Sequence, residues 1–193
     1  MCKKMYLLIA FIMIIFTGCT FGFKNNLDWN KTDSIDHYLA DWKEINSNKK
    51  MTIKKINDKI EIIASKKEIF SAEFFTFNDI TILALKLPSK RFIFMKVKLI
   101  SNEKLILQHL DISILKKLFD ISKVSKELFN NCKKELTSIS TNESDTNLAK
   151  YSSLEDCLVL NSESDYLSEL IKINHSTIFD KEDIFFMKVK EPI

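Results

Sequence analysis

Four cysteines and three histidines are the side chains of this sequence with the widest choice of chemistry, and their spacing narrows that choice. His37, His109 and His175 are far apart, and none has a Cys, His or carboxylate at metal-ligand spacing, so no metal site is expected. His109 lies near Asp111, which could orient an imidazole, but a surface or hydrogen-bonded histidine is the stronger reading. Asp36-His37 beside many serines does not define a hydrolytic triad, because a triad is a geometry rather than a sequence. Glu155-Asp156 and Glu163 with Asp165 are paired carboxylates of the type glycosidases use. Solvated loop acids and the preference of helix N-termini for negative charge account for them without catalysis. No catalytic residue is assigned, and the chain is expected not to be an enzyme. Cys132 and Cys157 can form a disulfide in an oxidising compartment; the alternative is two buried thiols acting as small apolar groups. A bridge enclosing the polar loop between them would stabilise the fold by about 3 kcal/mol or slightly more.

Cys19 has a different setting. Lys3 and Lys4 precede an uninterrupted apolar run from Tyr6 to Phe16, which Thr17, Gly18 and Cys19 follow. A short positive segment, an apolar core and small residues at its exit predict a secretory signal peptide. The run is too short to span a membrane, which takes about 20 apolar residues. Phe16-Thr17-Gly18-Cys19 resembles the lipobox of bacterial lipoprotein precursors, where an apolar residue, often Leu, precedes two small residues and a Cys. Phe16 stands here in place of the usual Leu. The resemblance covers about the first 20 residues. It implies cleavage between Gly18 and Cys19 and lipid on the Cys19 sulfur and its new amino group. Together these chains would hold the protein on a membrane, since stable anchoring takes about two such signals. Cys2 falls in the discarded part. Thr20, rather than Asp, after Cys19 resembles the outer-membrane-sorted class of Gram-negative lipoproteins. The expected place is therefore the cell envelope and, in a Gram-negative cell, the outer membrane facing the periplasm. The expected organisation is a signal peptide over 1–18, a lipidated Cys and flexible tether over 19–31, and one domain over 32–193.

Composition excludes several classes of function. Cleavage before Cys19 leaves 175 of the 193 residues, enough for one domain. Removing Lys3 and Lys4 from the 29 basic residues leaves 27 against 26 acidic ones, a net +1. Arg91 is the sole arginine, so the bidentate phosphate recognition that arginine supplies is scarce and no nucleic-acid partner is expected. Gly18 and Gly22 are the two glycines. Dinucleotide loops, P-loops and nucleophile elbows rely on glycine and are absent, and no cofactor is expected. Turns must use Asn, Asp and Ser instead.

The elements that position these residues follow from periodicity. Thr20 to Lys31 reads as a polar spacer. Ile35, Tyr38, Leu39 and Trp42 predict a short helix from Ile35 to about Ile45. From Met51 to Leu110 the period becomes two, with strands over 51–55, 59–64, 68–77, 80–87, 92–100 and 104–110 separated by Asn-Asp, Pro-Ser and Ser-Asn turns. Asp111 then caps a short helix, and Val124, Leu128, Cys132 and Leu136 mark a second, followed by a polar loop over 139–150. Leu154 to Leu160 reads as a strand, Ser162 begins a helix carrying Tyr166, Leu167, Leu170 and Ile171, and 184–190 alternates as a last strand. Phe94-Met95-Lys96-Val97-Lys98 recurs as Phe186-Met187-Lys188-Val189-Lys190, which similar burial demands on two strands explain. The fold class is α+β: an antiparallel meander of about five to seven strands, open or curled into a partial barrel, packed by helices from the C-terminal half. The order of elements looks similar to small bacterial lipoproteins, with no motif that carries residues over.

Two functions fit this reading. One is a non-catalytic envelope module binding a protein partner, such as an inhibitor or immunity protein. The other is a carrier of a lipid or other apolar ligand, suggested by Phe70, Phe74, Phe75, Phe77, Phe92 and Phe94. A hollow with apolar lining would favour the carrier, and a filled core with a charged concave face the partner-binder. The anchor is tested directly: Cys19→Ala is expected to leave a soluble or unprocessed precursor that takes up no labelled palmitate. Label on that variant would remove the lipoprotein reading.

Overall fold

Strict alternation over 50–109 demands a sheet with two different faces, and a long sheet with apolar residues on both must be covered on both. The computed structural model describes residues 22–32, 34–47, 49–65, 68–141, 153–179 and 183–189, so Gly18, Cys19 and most of the polar loop lie outside the described residues. Eight strands form: β1 Ala40–Glu44, β2 Lys50–Ile56, β3 Lys59–Ser65, β4 Glu68–Phe77, β5 Ile80–Lys86, β6 Phe92–Ser101, β7 Lys104–His109 and β8 Ile184–Lys188. They pair antiparallel in chain order, and β8 pairs with both β7 and β1, which closes the sheet into a barrel. Among the described residues four α-helices precede β8: α1 Ile112–Leu118, α2 Lys126–Thr141, α3 Leu154–Leu160 and α4 Ser164–Asn174. In the β2–β3 turn Asn57 (φ 48°) and Asp58 (φ 61°) supply the two left-handed residues of a two-residue hairpin loop, and Asn78 (φ 52°) opens the β4–β5 turn. Asn and Asp thus take positions where glycine is more usual.

The up-and-down order gives the barrel two mouths. The lower carries the β1–β2, β3–β4 and β5–β6 turns. The upper carries the β2–β3, β4–β5 and β6–β7 turns. Period two splits the apolar residues between two cores. Inside the barrel lie Trp42, Ile53, Phe74, Leu83 and Leu105, all fully buried, together with Met95 and Val97. Outside, Phe75, Ile82 and Phe94 of β4–β6 meet Leu158, Val159 and Ile171 of the helices.

Three sequence expectations change. The partial barrel of about five to seven strands is a closed barrel of eight. The difference begins at β1: only a 3-10 turn, Asp36–Tyr38, forms where a helix from Ile35 was expected. Ala40–Glu44 runs extended because β2 and β8 would otherwise each show an unpaired edge. Tyr38 and Trp42 still share an environment, both inside the barrel, with Trp42 Nε1 donating to the Tyr38 carbonyl at 2.9 Å. Leu154–Leu160, read as a strand, is helix α3, capped by the Ser153 hydroxyl, which accepts from the Asp156 N–H. Its apolar run is too short for periodicity to separate helix from strand. The flexible tether is the third. Phe23, Leu27 and Trp29 are buried, and isolated bridges join Phe23 to Phe92 and Lys31 to Phe75, so residues 22–31 belong to the domain.

Strand β6 follows its expected alternation. Met95 and Val97 face the lumen with Ile93 and Leu99 partly buried beside them, while Phe92 and Phe94 pack under the helices. Lys98 is exposed, and Lys96 is half-buried with Nζ 5.9 Å from the Phe179 ring centroid. The repeated segment does not share a facing: Phe94 lies in the outer core and Phe186 in the lumen. Val97→Asp places a carboxylate in an apolar lumen and should abolish the cooperative thermal melt. Lys96→Ser loses a cation–ring contact of about 0.5–1 kcal/mol, a drop of about 2–4 °C at most. Equal losses from the two substitutions would reverse the assigned faces.

Candidate functional site

The residues singled out by chemistry do not converge. His37 is exposed beside Tyr38, with ring centroids 4.1 Å apart. His109 ends β7 at the lower mouth, where burial pushes its imidazole below the ordinary value. His175 caps the C-terminus of α4, its Nδ1 2.9 Å from the Lys172 carbonyl. Among the described residues no three His, Cys, Asp or Glu side chains gather as a metal site. The paired carboxylates serve helix starts. Glu155 is exposed in the first turn of α3, while Asp156 beside it is buried and ion-paired to Lys116 of α1 at 2.6 Å. Glu163 and Asp165 open α4, and Asp111 caps α1 by accepting from the Ser113 and Ile114 N–H groups. Cys132 of α2 and Cys157 of α3 are joined by a disulfide with Cα atoms 5.7 Å apart. It links two helices, not a helix and a strand.

The six phenylalanines of the carrier reading separate between the two cores. Phe70 and Phe74 face the lumen, and Phe75, Phe77, Phe92 and Phe94 lie outside it under the helices. An eight-stranded barrel is just wide enough for its own side chains or one small ligand. Here Trp42, Phe74, Leu83 and Leu105 occupy that space, and Tyr38 stacks on Phe74 at 5.0 Å near the upper mouth.

A cleft lies at the upper mouth. The N-terminal segment pairs with the edge of β4 beyond the end of β3, where the Thr32 N–H donates to the Phe74 carbonyl at 3.0 Å, and then turns inward at Ile35. Between it and the exposed β2–β3 hairpin the cleft opens, with a volume of about 330 Å³. Ile35, Ile60 and Phe74 form its apolar part, and its polar lining comes from Lys31, Lys55, Asp58, Lys59, Ser71 and Glu73. Lys31 is paired with Glu73, and Lys55 Nζ stands 3.3 Å from Asp58. Asn26 Nδ2 donates to the other Glu73 oxygen, so this carboxylate is held from two sides. The cleft sets lysines and carboxylates around a small apolar floor. Sequence reasoning missed it because Lys31 and Glu73 lie 42 positions apart and belong to no motif.

The fold and cleft define an eight-stranded antiparallel barrel with one wall covered by helices and a charged notch at one mouth. The chain matches no known protein family, no curated protein and no solved structure.

The disulfide closes a separation of 25 residues, which should contribute about 3 kcal/mol through loop closure. Non-reduced mature protein should show no alkylation of Cys132 or Cys157 after denaturation, and reduction should lower the melting temperature by about 6–12 °C. Two freely alkylated thiols without reductant would rule the bridge out.

Proposed function

We propose that this protein is a lipid-anchored component of the cell envelope that binds a protein partner, of inhibitor or immunity type, without catalysing a reaction. The anchor is the lipid on Cys19, and the expected membrane is the outer one, facing the periplasm, in a Gram-negative cell. The observation that supports partner binding is the contrast between a filled lumen and a charged cleft. Small-molecule pockets take about 300–1,000 Å³ lined mainly by apolar groups. Among the described residues, Trp42 and Phe74 are buried in the barrel interior, and five of the residues lining the cleft at the upper mouth are charged. A lipid carrier would need the reverse.

Crosslinking and pulldown of the anchored protein from its own envelope tests the reading. Wild type should capture a discrete envelope protein. Lys31→Glu with Lys59→Glu should weaken capture at least about tenfold, because losing one side of a desolvated charge pair costs about 2 kcal/mol or more. Its melting temperature should fall by no more than about 2–4 °C, because the Lys31–Glu73 pair that it breaks is solvent-exposed on the Lys31 side. Capture unaffected by the double variant would remove the cleft from the interface. Stoichiometric lipid in an organic extract of purified protein would establish the carrier instead.

A further inference from the structure

Gly22 fixes where the described fold meets the segment bearing Cys19. Its carbonyl accepts from Arg91 Nη1 at 2.7 Å, and the neighbouring Phe23 exchanges both backbone hydrogen bonds with Phe92 at 2.8 Å each. A Cβ on Gly22 would stand 3.0 Å from Arg91 Cβ and 3.1 Å from the Phe92 carbonyl oxygen, so the backbone lies directly on the β5–β6 connection. Gly22 therefore sits at the lower mouth. Only Thr20 and Phe21 separate it from Cys19. Three residue steps reach at most about 11 Å when fully extended. A lipid on Cys19 would hold this mouth against the bilayer with almost no slack.

Charge at the mouth agrees with that placement. Lys24, Lys50, Lys86 and Lys90 are exposed around it, and Ile45 and Pro88 expose apolar surface among them. The acids near it, Glu44, Glu68, Asp111 and the exposed Asp183, keep their charge when hydrogen-bonded and offset part of that of the lysines. Glu44 accepts from the Ser47 hydroxyl, Asp183 accepts from Gln108 Nε2, and Glu68 is half-buried. Glu163 and Asp165 open α4, whose Ser164 hydroxyl donates to the Asn26 carbonyl further along the segment. At the upper mouth Asp36, Asp58, Asp79 and Glu103 are exposed and offset the lysines there. We infer that the lower mouth is a docking surface for an anionic lipid bilayer, with its lysines against lipid phosphates and the charged cleft directed away from the membrane. Basic residues near an anionic leaflet add to a lipid anchor within a screening length of the surface. The inference rests on the lipid anchor proposed above.

The test uses the mature lipidated protein in vesicles, with a fluorophore on Ser89→Cys at the lower mouth or on Asp79→Cys at the upper. Nitroxide-headgroup lipid is the quencher, and palmitate labelling with flotation reads the anchor separately. In phosphatidylglycerol-containing vesicles the Ser89 probe should be quenched and the Asp79 probe should not. The quenching should be lost in pure phosphatidylcholine, in high salt, and in Lys50→Glu/Lys86→Glu/Lys90→Glu protein that melts normally and still floats. Floating protein whose two probes are quenched alike, or whose Ser89 quenching ignores lipid charge and the triple variant, overturns the docking surface and leaves the anchor standing. Absence of palmitate and flotation overturns the anchor and the docking surface with it.

Discussion

β8 pairs Phe186 with Glu44 of β1 on one side and with Leu105 of β7 on the other. Without that strand both neighbours would show a row of unpaired backbone donors and acceptors, the condition under which sheets recruit other chains. Closure is costly because β8 follows four helices, so its pairing with β1 joins distant parts of the chain against loop-closure entropy. The helices offset that cost by burying one barrel wall. Leu158, Val159 and Ile171 are fully buried against the side that carries Phe75, Ile82 and Phe94, and each large apolar side chain contributes about 1.5–3 kcal/mol. The Cys132–Cys157 bridge further restricts the helical insertion before the last strand returns.

A second constraint is the arginine at the lower mouth. Arg91 is buried, with Nη1 donating to the Gly22 carbonyl and Nη2 donating to Asn161 Oδ1 at 3.2 Å. One guanidinium thereby connects the N-terminal segment, the β5–β6 connection and the end of α3. A lysine, with a single ammonium centre, could not span these partners in one plane. Asn161 in turn donates to the Cys157 carbonyl at 2.8 Å, so the same network reaches the disulfide. The point where the N-terminal segment enters is thus tied to the covalent link between the helices.

Legibility in the sequence follows from the kind of force at work. The six strands over 50–109 and their Asn-Asp turns were readable because alternation and left-handed turn residues are local signals. β1 was not, since Tyr38 and Trp42 carry helical spacing while barrel closure requires extended backbone. Helix α3 was not, because a helix buried over Asp156–Leu160 loses the polar stripe that identifies one. Phe23, Leu27 and Trp29 fill separate gaps in the outer core and so show no period. The cleft is less legible still. Lys31, Lys59 and Glu73 read singly as solvated charges, and only the register of β2–β4 with the crossing segment brings them together.

The path of residues 22–35 connects these constraints to function. The segment starts beside Phe92 at the lower mouth, is bridged to Phe75 on β4, and delivers Ile35 and Tyr38 to the upper mouth. In doing so it covers part of the wall that the helices leave, closes the lumen with Tyr38, and supplies Lys31 to the cleft. A true spacer would let the barrel take any attitude toward the membrane. Under the proposed anchor, a segment packed along the barrel would transmit orientation instead, because turning the cleft toward the bilayer would require stripping Phe23, Leu27 and Trp29 from their buried sites. Exposing three large apolar side chains costs several kcal/mol at about 1.5–3 kcal/mol each. On the proposed reading, the same burial that stabilises the domain also fixes which mouth meets the lipid and which meets the partner.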